Sequence, residues 1–516
     1  MKTSEERQRE FNNPAKSTPA RSDKKRKITS EKRTFAKRLG IFLTVLQGIL
    51  SGIFLRSLFS INLLPMKYMA VVIFLIVALF LITFATQKRH KGRASYGKTL
   101  SIFMILLLSV GSFYISKLDV AFEQVTGGSY KIDSMVVVVL KDDPAETLAD
   151  MKDYVFGVQY AVGEQDTKDA IADVNMQLGT EIQTQEYTSV QEQAFALEAG
   201  YVKAIIYNEG YTGMIADAIS GYESNIKVIH RYEIKEKIEV PQQEKEFSIT
   251  EDTFNIYLSG IDVFGPIETN SRSDVNIIAT VNPKTRQILL SSTPRDYYVT
   301  IPGVSNGQKD KLTHAGIYGV DASIATLENL YDIEIPFYAK VNFTSIIQIV
   351  DQLGGVDVYS EYAFTTIDNE VVKKGMNHFN GKQALSFARE RKNVPGGDLQ
   401  RGKNQEAVIV AMIRKMISPQ LLVKASAIID SVSGNIETNM SQKYIQELIK
   451  MQLKNGGSWS IYTESVTGSN GSNVTYSIPN MYVYVMNPDM ESVNRVKDLM
   501  NRVTDGETLE GSEVAE

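Results

Sequence analysis

The chain has 516 residues, enough for roughly two or three domains, and a formal net charge of −5 that is unevenly spread along it. It contains no cysteine, which excludes disulfides and thiolate zinc sites. Its histidines, His90, His230, His314 and His378, are scattered without metal-ligand spacing, and no G-x-S-x-G occurs. Neither a zinc hydrolase nor a serine hydrolase is therefore supported.

Residues 1–34 are polar, charged and poor in large apolar side chains, which predicts a disordered tail. The first forty residues hold the basic residues Arg21, Lys24, Lys25, Arg26, Lys27, Lys32, Arg33, Lys37 and Arg38. Next to a membrane helix, such a tail sets topology and touches anionic lipid. Within residues 35–117, three apolar stretches follow, roughly Leu39–Leu55, Tyr68–Thr86 and Thr99–Ile115. Each is near the length that crosses a hydrocarbon core of about 30 Å as a helix.

The loop between the second and third stretches is basic (Lys88, Arg89, Lys91, Arg93 and Lys98), whereas the first loop has only Arg56 and Lys67. The positive-inside rule then puts the N-terminus and second loop in the cytoplasm and everything after about Lys117 outside a multi-pass anchor. Gly92–Thr99 matches G-x-x-x-x-G-K-[ST] only formally. A phosphate loop follows a buried strand, and this one joins two membrane helices.

Residues 118–240 read as a small α/β unit. Met135–Leu140, Ala204–Tyr207 and Ile226–Ile229 are expected strands, and Lys168–Leu178 and Met214–Ser220 expected helices. No constellation of charged residues stands out there, so the unit reads as an accessory domain. The charged, proline-headed segment Pro241–Glu246 reads as a linker.

Residues 247–503 are richer, and the acidic residues 504–516 after them read as a disordered tail. Strands are expected at Phe254–Ser259, Val275–Val281 and Gln287–Thr293. Paired as an antiparallel meander, they bring the end of the first, the start of the second and the end of the third to one sheet edge. That edge gathers Asp262, Arg272, Asp274, Arg295 and Asp296. Further on, a helix at Gln383–Ala388 ends in Arg389 and Arg391. A long helix from Gln400 to about Met416 carries Arg401 and Gln405 on one face. The alternation of strands and helices implies a sheet layered by helices.

Guanidinium forks match phosphate oxygens two at a time, and carboxylates among them suggest a divalent cation sharing the same phosphates. Outside a membrane, lipid-linked phosphates are the abundant substrates of that class.

The same segments resemble the LytR–CpsA–Psr family of bacterial envelope proteins. The resemblance is carried by Ser271–Asp274, Ser292–Asp296, Lys311–Ala315, Gln352–Asp357, Ala388–Arg391 and Asp398–Arg401. Three membrane helices followed by an accessory unit look like its capsule-associated branch. The resemblance implies a mixed sheet between helices, with a lipid-holding apolar pocket opening at the charged edge. It also implies transfer of a glycopolymer, with capsular polysaccharide foremost, from a polyprenyl-pyrophosphate carrier to peptidoglycan.

By that resemblance Arg272, Arg295, Arg389, Arg391 and Arg401 grip the pyrophosphate, Lys311 and Gln405 complete the head-group site, and Asp262 and Asp274 hold Mg2+ or Mn2+. Asp274, Arg295 and Asp296 are the expected catalytic group, with the general base left open between the two acids. A pyrophosphatase using water as acceptor and a membrane-anchored regulator of capsule synthesis are the alternatives. The tail has no helix-turn-helix pattern, which counts against nucleic acid as a partner.

Overall fold

The structure is a computed structural model that describes residues 20–87, 93–126, 130–237, 247–261, 267, 270–418 and 436–510. The chain divides into two compact units, 1–117 and 118–516.

Among its described residues the first unit has three helices, α1 (Ala20–Ile61), α2 (Met66–Gln87) and α3 (Arg93–Thr126, which continues beyond the unit). Thr34–Ile61, Met66–Thr86 and Ser95–Lys117 are each long and apolar enough to cross a membrane. Most of their large apolar side chains point outward, as lipid-facing helices require, while Ile76, Met104 and Leu108 pack inward. The buried Ser101 hydroxyl donates to Gln47 Oε1 at 2.8 Å, tying α3 to α1. The tail differs from expectation, because α1 starts at Ala20 and residues 20–34 are helical. Lys, Arg and Glu are good helix formers, and an adjoining apolar helix removes the cost of nucleation.

Among the described residues, the second unit contains two large sheets, of five and six strands, and four two-stranded ones. In the first, β1 (Tyr130–Leu140), β2 (Val155–Gln159), β3 (Gln183–Tyr187), β4 (Ala204–Asn208) and β5 (Ile226–Lys237) are ordered β3-β2-β4-β1-β5. Met135–Val139 on β1 is buried on both faces, which explains its unbroken apolar run. Helices α4 (Glu164–Leu178), α5 (Val190–Glu198) and α6 (Thr212–Ala218) cover this sheet.

The second sheet holds β6 (Phe254–Ile261), β7 (Ser273–Asn282), β8 (Gln287–Ser292), β9 (Phe337–Asn342), β10 (Ile436–Thr438) and β11 (Ser460–Ser465), ordered β10-β9-β6-β7-β8-β11. It is mixed: β6-β7-β8 is an antiparallel meander, while β9 joins β6 and β11 joins β8 in parallel. The period of two sends alternate residues to opposite layers. Tyr257, Ile278 and Leu289 meet α7 (Val320–Tyr331) and α12 (Met490–Thr504) through Leu327, Val496 and Leu499. Ile277, Ala279 and Leu290 meet α10 (Asp398–Met416) and α11 (Gln442–Asn455) through Val410 and Tyr444. The result is a helix–sheet–helix sandwich. α8 (Phe343–Gln352) and α9 (Gly381–Arg389) pack with α10 in a further apolar cluster.

The acidic C-terminal stretch also differs from expectation over its first part. Leu509 is buried, its backbone N–H donates to Gln287 Oε1 at 2.9 Å, and Gln287 Nε2 donates to the Glu507 carbonyl at 2.9 Å. One leucine and one amide therefore pin residues 507–509 beside β8. Residues 511–516, the linker segment 241–246 and Asp262 lie outside the described residues.

Candidate active site

The meander register pairs Ile261 with Ser273 and Ile277 with Ser292, so the end of β6, the start of β7 and the end of β8 share one edge. Asp274 is the second residue of β7, Arg272 immediately precedes that strand, and Arg295 and Asp296 follow β8. Arg389 ends α9, which is started by an Asn380 cap accepting from Gln383 N at 3.0 Å. Arg401 and Gln405 lie in the first two turns of α10.

These segments enclose one cavity of about 660 Å³. Arg272, Asp274, Arg295, Arg389, Arg391, Arg401 and Gln405 all line it. Its remaining wall is partly apolar, with Ile261, Val275, Val341, Ile346 and Leu385. The cavity is thus amphiphilic, with guanidinium groups beside an aliphatic surface.

Within it, Arg295 Nη1 donates to both oxygens of Asp274, at 2.8 and 2.9 Å, and the Thr313 hydroxyl donates to Oδ1 at 3.1 Å. Burial pushes the Asp274 pKa up, but the guanidinium charges of Arg295, Arg272 and Arg401 outweigh it and hold the pKa down at about 2. Asp296 is buried behind this pair, with Oδ1 3.1 Å from Lys311 Nζ and Oδ2 3.6 Å from Arg295 Nε. Lys311 is itself buried and does not line the cavity; it joins the network through Asp296.

Two features escape a reading of the sequence. The first is Glu390. Its Oε1 accepts from the backbone N–H groups of Arg391, Lys392 and Asn393 at 2.9, 2.8 and 2.9 Å, and its Oε2 accepts from Ile367 N at 2.6 Å. Burial works against its charge, yet these donors bring its pKa below the usual carboxylate value. The carboxylate therefore shapes the turn that presents Arg391. An acid between two arginines in Arg389-Glu390-Arg391 was the available signal. The second is Asp217 on α6, in the unit read as accessory; it also lines the cavity. Its helix has no charge pattern that would have flagged it.

His314 is fully buried and bonded through Nδ1 to Asp310 Oδ1 at 2.6 Å, while Asp310 Oδ2 accepts from Ser477 N at 3.0 Å. It staples two segments together and is not part of the cavity lining. No cluster of three or more His, Asp or Glu side chains suited to a metal occurs among the described residues.

The LytR_cpsA_psr family model matches residues 221–501. The chain belongs to this family. Curated relatives include a polyisoprenyl-teichoic acid–peptidoglycan teichoic acid transferase, TagU, of Bacillus anthracis, 38% identical over 197 residues. That match takes in 38% of this chain and 63% of TagU. TagV of Bacillus subtilis (strain 168), named as a transferase of the same kind, is 32% identical over 260 residues, or 49% of this chain and 65% of TagV. This chain therefore matches somewhat under two thirds of either relative's length. Among solved structures, B. subtilis TagV aligns over 50% of this chain and 99% of its own, with 29% identity and a TM-score of 0.43. Both sheet-edge segments and the arginine-bearing helices α9 and α10 fall inside the range of the family model.

Proposed function

We propose that this protein transfers a cell-wall glycopolymer from a polyprenyl-pyrophosphate carrier to peptidoglycan, forming a phosphodiester on the outer face of the membrane. The observation that carries this reading is the amphiphilic cavity, in which Arg272, Arg295, Arg389, Arg391 and Arg401 converge beside an aliphatic wall. A lipid diphosphate matches both features at once, the guanidinium groups with its phosphates and the aliphatic wall with its chain. The names of the relatives support a polyisoprenyl-linked donor and a peptidoglycan acceptor.

In the reaction, a peptidoglycan hydroxyl oxygen bonds to the sugar-proximal phosphorus. The bond from that phosphorus to the bridging oxygen breaks, and polyprenyl phosphate leaves with the electron pair. Charge spreads over the phosphoryl oxygens, so catalysis is mostly positioning and electrostatic stabilisation by the guanidinium groups. Asp274, held at a pKa of about 2 and engaged with Arg295, is a weak base, and Asp296 is engaged with Lys311. The departing phosphate is an acceptor for the hydroxyl proton that needs no further side chain.

Asp274 presents a carboxylate to the cavity, and Mg2+ commonly takes only one or two carboxylates together with substrate phosphates. One such carboxylate is compatible with Mg2+ or Mn2+, which we propose Asp274 would hold together with Asp262, a residue assigned from the sequence alone. When bound, the ion would supply charge neutralisation for the phosphates.

Capsular polysaccharide is the proposed polymer, on the strength of the three-helix anchor followed by an α/β unit; the relatives carry teichoic acid in their names. The basic tail and second loop support a cytoplasmic N-terminus with the cavity-bearing unit outside. The test is mass spectrometry of the denatured full-length protein after bacterial expression, together with analysis of wall-linked polymer in a deletion strain. A bound polyprenyl phosphate species and loss of one polymer from the wall are expected. Release of free sugar phosphate without a phosphodiester product would favour the hydrolase instead.

A further inference from the structure

The charged cavity is not built by the family-type sheet alone. Gly213, Ala216 and Asp217 of α6 form part of its wall, together with Arg391 and Arg401. Helix α6 is anchored by Met214 and Ile215, which pack in a core shared with Ile317, Val483 and Val485 from the other half of the same unit. It is therefore a fixed wall.

Two contacts connect this wall and its sheet to Arg272. The guanidinium of Arg272 lies flat against Gly213: a Cβ there would stand 2.2 Å from Cζ, 2.3 Å from Nη2 and 2.5 Å from Nε. Gly213 has no positive φ, so the glycine is not needed for backbone conformation. It is needed for the space that Arg272 fills. One turn later, Asp217 Oδ2 is 3.6 Å from Arg272 Nη1 and 3.8 Å from Lys311 Nζ, and the acid is about one-third exposed.

The backbone leading to Arg272 is held from the same side. Asn270 N donates to the Ile132 carbonyl of β1 at 3.1 Å, and Asn270 Nδ2 donates to the buried Asp133 carboxylate at 2.9 Å.

We propose that the N-terminal α/β layer is a working part of the diphosphate site: Gly213 is the slot that positions Arg272, and Asp217 is the counter-ion that Arg272 exchanges for phosphate oxygens when the ligand binds. The inference rests on the diphosphate reading above and assigns positioning roles to a layer outside most of the family range. Charges a few ångströms apart at a partly exposed site interact strongly enough to bias binding in either direction. The two α6 residues therefore act with opposite sign. A methyl group at 213 displaces the guanidinium and weakens binding, whereas neutralising Asp217 removes a competitor for the same donors and strengthens it.

The experiment is calorimetric titration of the full-length protein in detergent with geranyl diphosphate and Mg2+, for wild type, Gly213→Ala, Asp217→Asn, Arg272→Ala and the Gly213→Ala/Arg272→Ala double variant. Gly213→Ala should bind about tenfold more weakly, roughly 1.4 kcal/mol, with unchanged melting. The double variant should bind no more weakly than Arg272→Ala, because coupled residues are not additive. Asp217→Asn should bind about threefold more tightly. Wild-type binding by Gly213→Ala, additive losses in the double variant, or weaker binding by Asp217→Asn would each overturn the proposal. Wild-type binding by Arg272→Ala would instead remove the diphosphate reading on which the proposal stands, so the two failures are distinguishable.

Discussion

Arg295 Nη1 lies 2.8 and 2.9 Å from the two carboxylate oxygens of Asp274, joining the end of one central strand to the start of its neighbour inside the charged cavity. Arg295→Ala should reduce polymer transfer at least roughly a hundredfold, about 3 kcal/mol, since a contact that tightens in the transition state is lost. Arg295→Lys should recover only part of it, because a point charge does not reproduce the fork. Wild-type levels of wall-linked polymer in Arg295→Ala cells would remove Arg295 from the machinery.

The same pair links stability to acid. The folded pKa of Asp274, about 2, is below the ordinary value of 3.8. Its contribution is therefore fully present above about pH 4 and fades as pH falls towards 2. In Arg295→Ala the burial remains and the largest opposing charge is gone, so the fade should begin at higher pH. Acid unfolding curves followed by circular dichroism check this, and coincident midpoints would contradict the coupling.

Glu390 should matter through the loop it holds. Glu390→Ala leaves the N–H groups of Ile367, Arg391, Lys392 and Asn393 without their carboxylate, and transfer should fall by about tenfold as Arg391 loses its set position. Arg391→Ala should lower transfer further with no change in melting temperature, because Arg391 is exposed. A Glu390→Ala enzyme with wild-type rate and a lowered melting temperature would reduce the acid to a stabiliser.

Metal dependence separates two roles for Asp274. If the carboxylate shares a cation with the diphosphate, EDTA should abolish transfer in vitro, Mg2+ or Mn2+ should restore it, and Asp274→Asn should raise the metal concentration needed. If Asp274 serves only as the partner of Arg295, chelation will leave the rate unchanged.

Glu406 supplies a pH dependence of opposite sign to that of Asp274. It sits on α10 one residue beyond Gln405, buried, with Oε2 accepting from the Ser465 hydroxyl at 3.1 Å. Burial pushes its pKa from 4.5 up to about 8, and the nearby Glu464 adds to the rise. The folded state therefore holds a proton that the unfolded state releases above about pH 4.5. Stability from this group is full below that pH, falls as pH rises to about 8, and levels off beyond it. Glu406→Gln keeps the shape without the titration, so the melting temperature of the variant should decline less between pH 5 and pH 8. Parallel pH profiles would show that Glu406 does not carry the proton.

The elements of the larger sheet were legible because their patterns are local. Phe254–Ser259, Val275–Val281 and Gln287–Thr293 alternate or run apolar between turn residues, and an antiparallel meander follows from such short connections. Strand order alone then brought Arg272, Asp274, Arg295 and Asp296 to one edge, and helix period put Arg401 and Gln405 on one face. The apolar spans were legible for the same reason, since length and composition decide them.

What tertiary structure alone decided is which charges face the cavity and which face one another. Lys311 and Asp296 look like further site residues in sequence, but burial turns them towards each other behind Arg295. Gly213 and Asp217 look like part of an ordinary short helix far from the motifs, until a shared apolar core fixes that helix against Arg272. Sequence pattern encodes local period and edge, because those depend on neighbours within a few residues. Contacts between segments distant in the chain depend on how two sheets dock, and no local pattern records that docking.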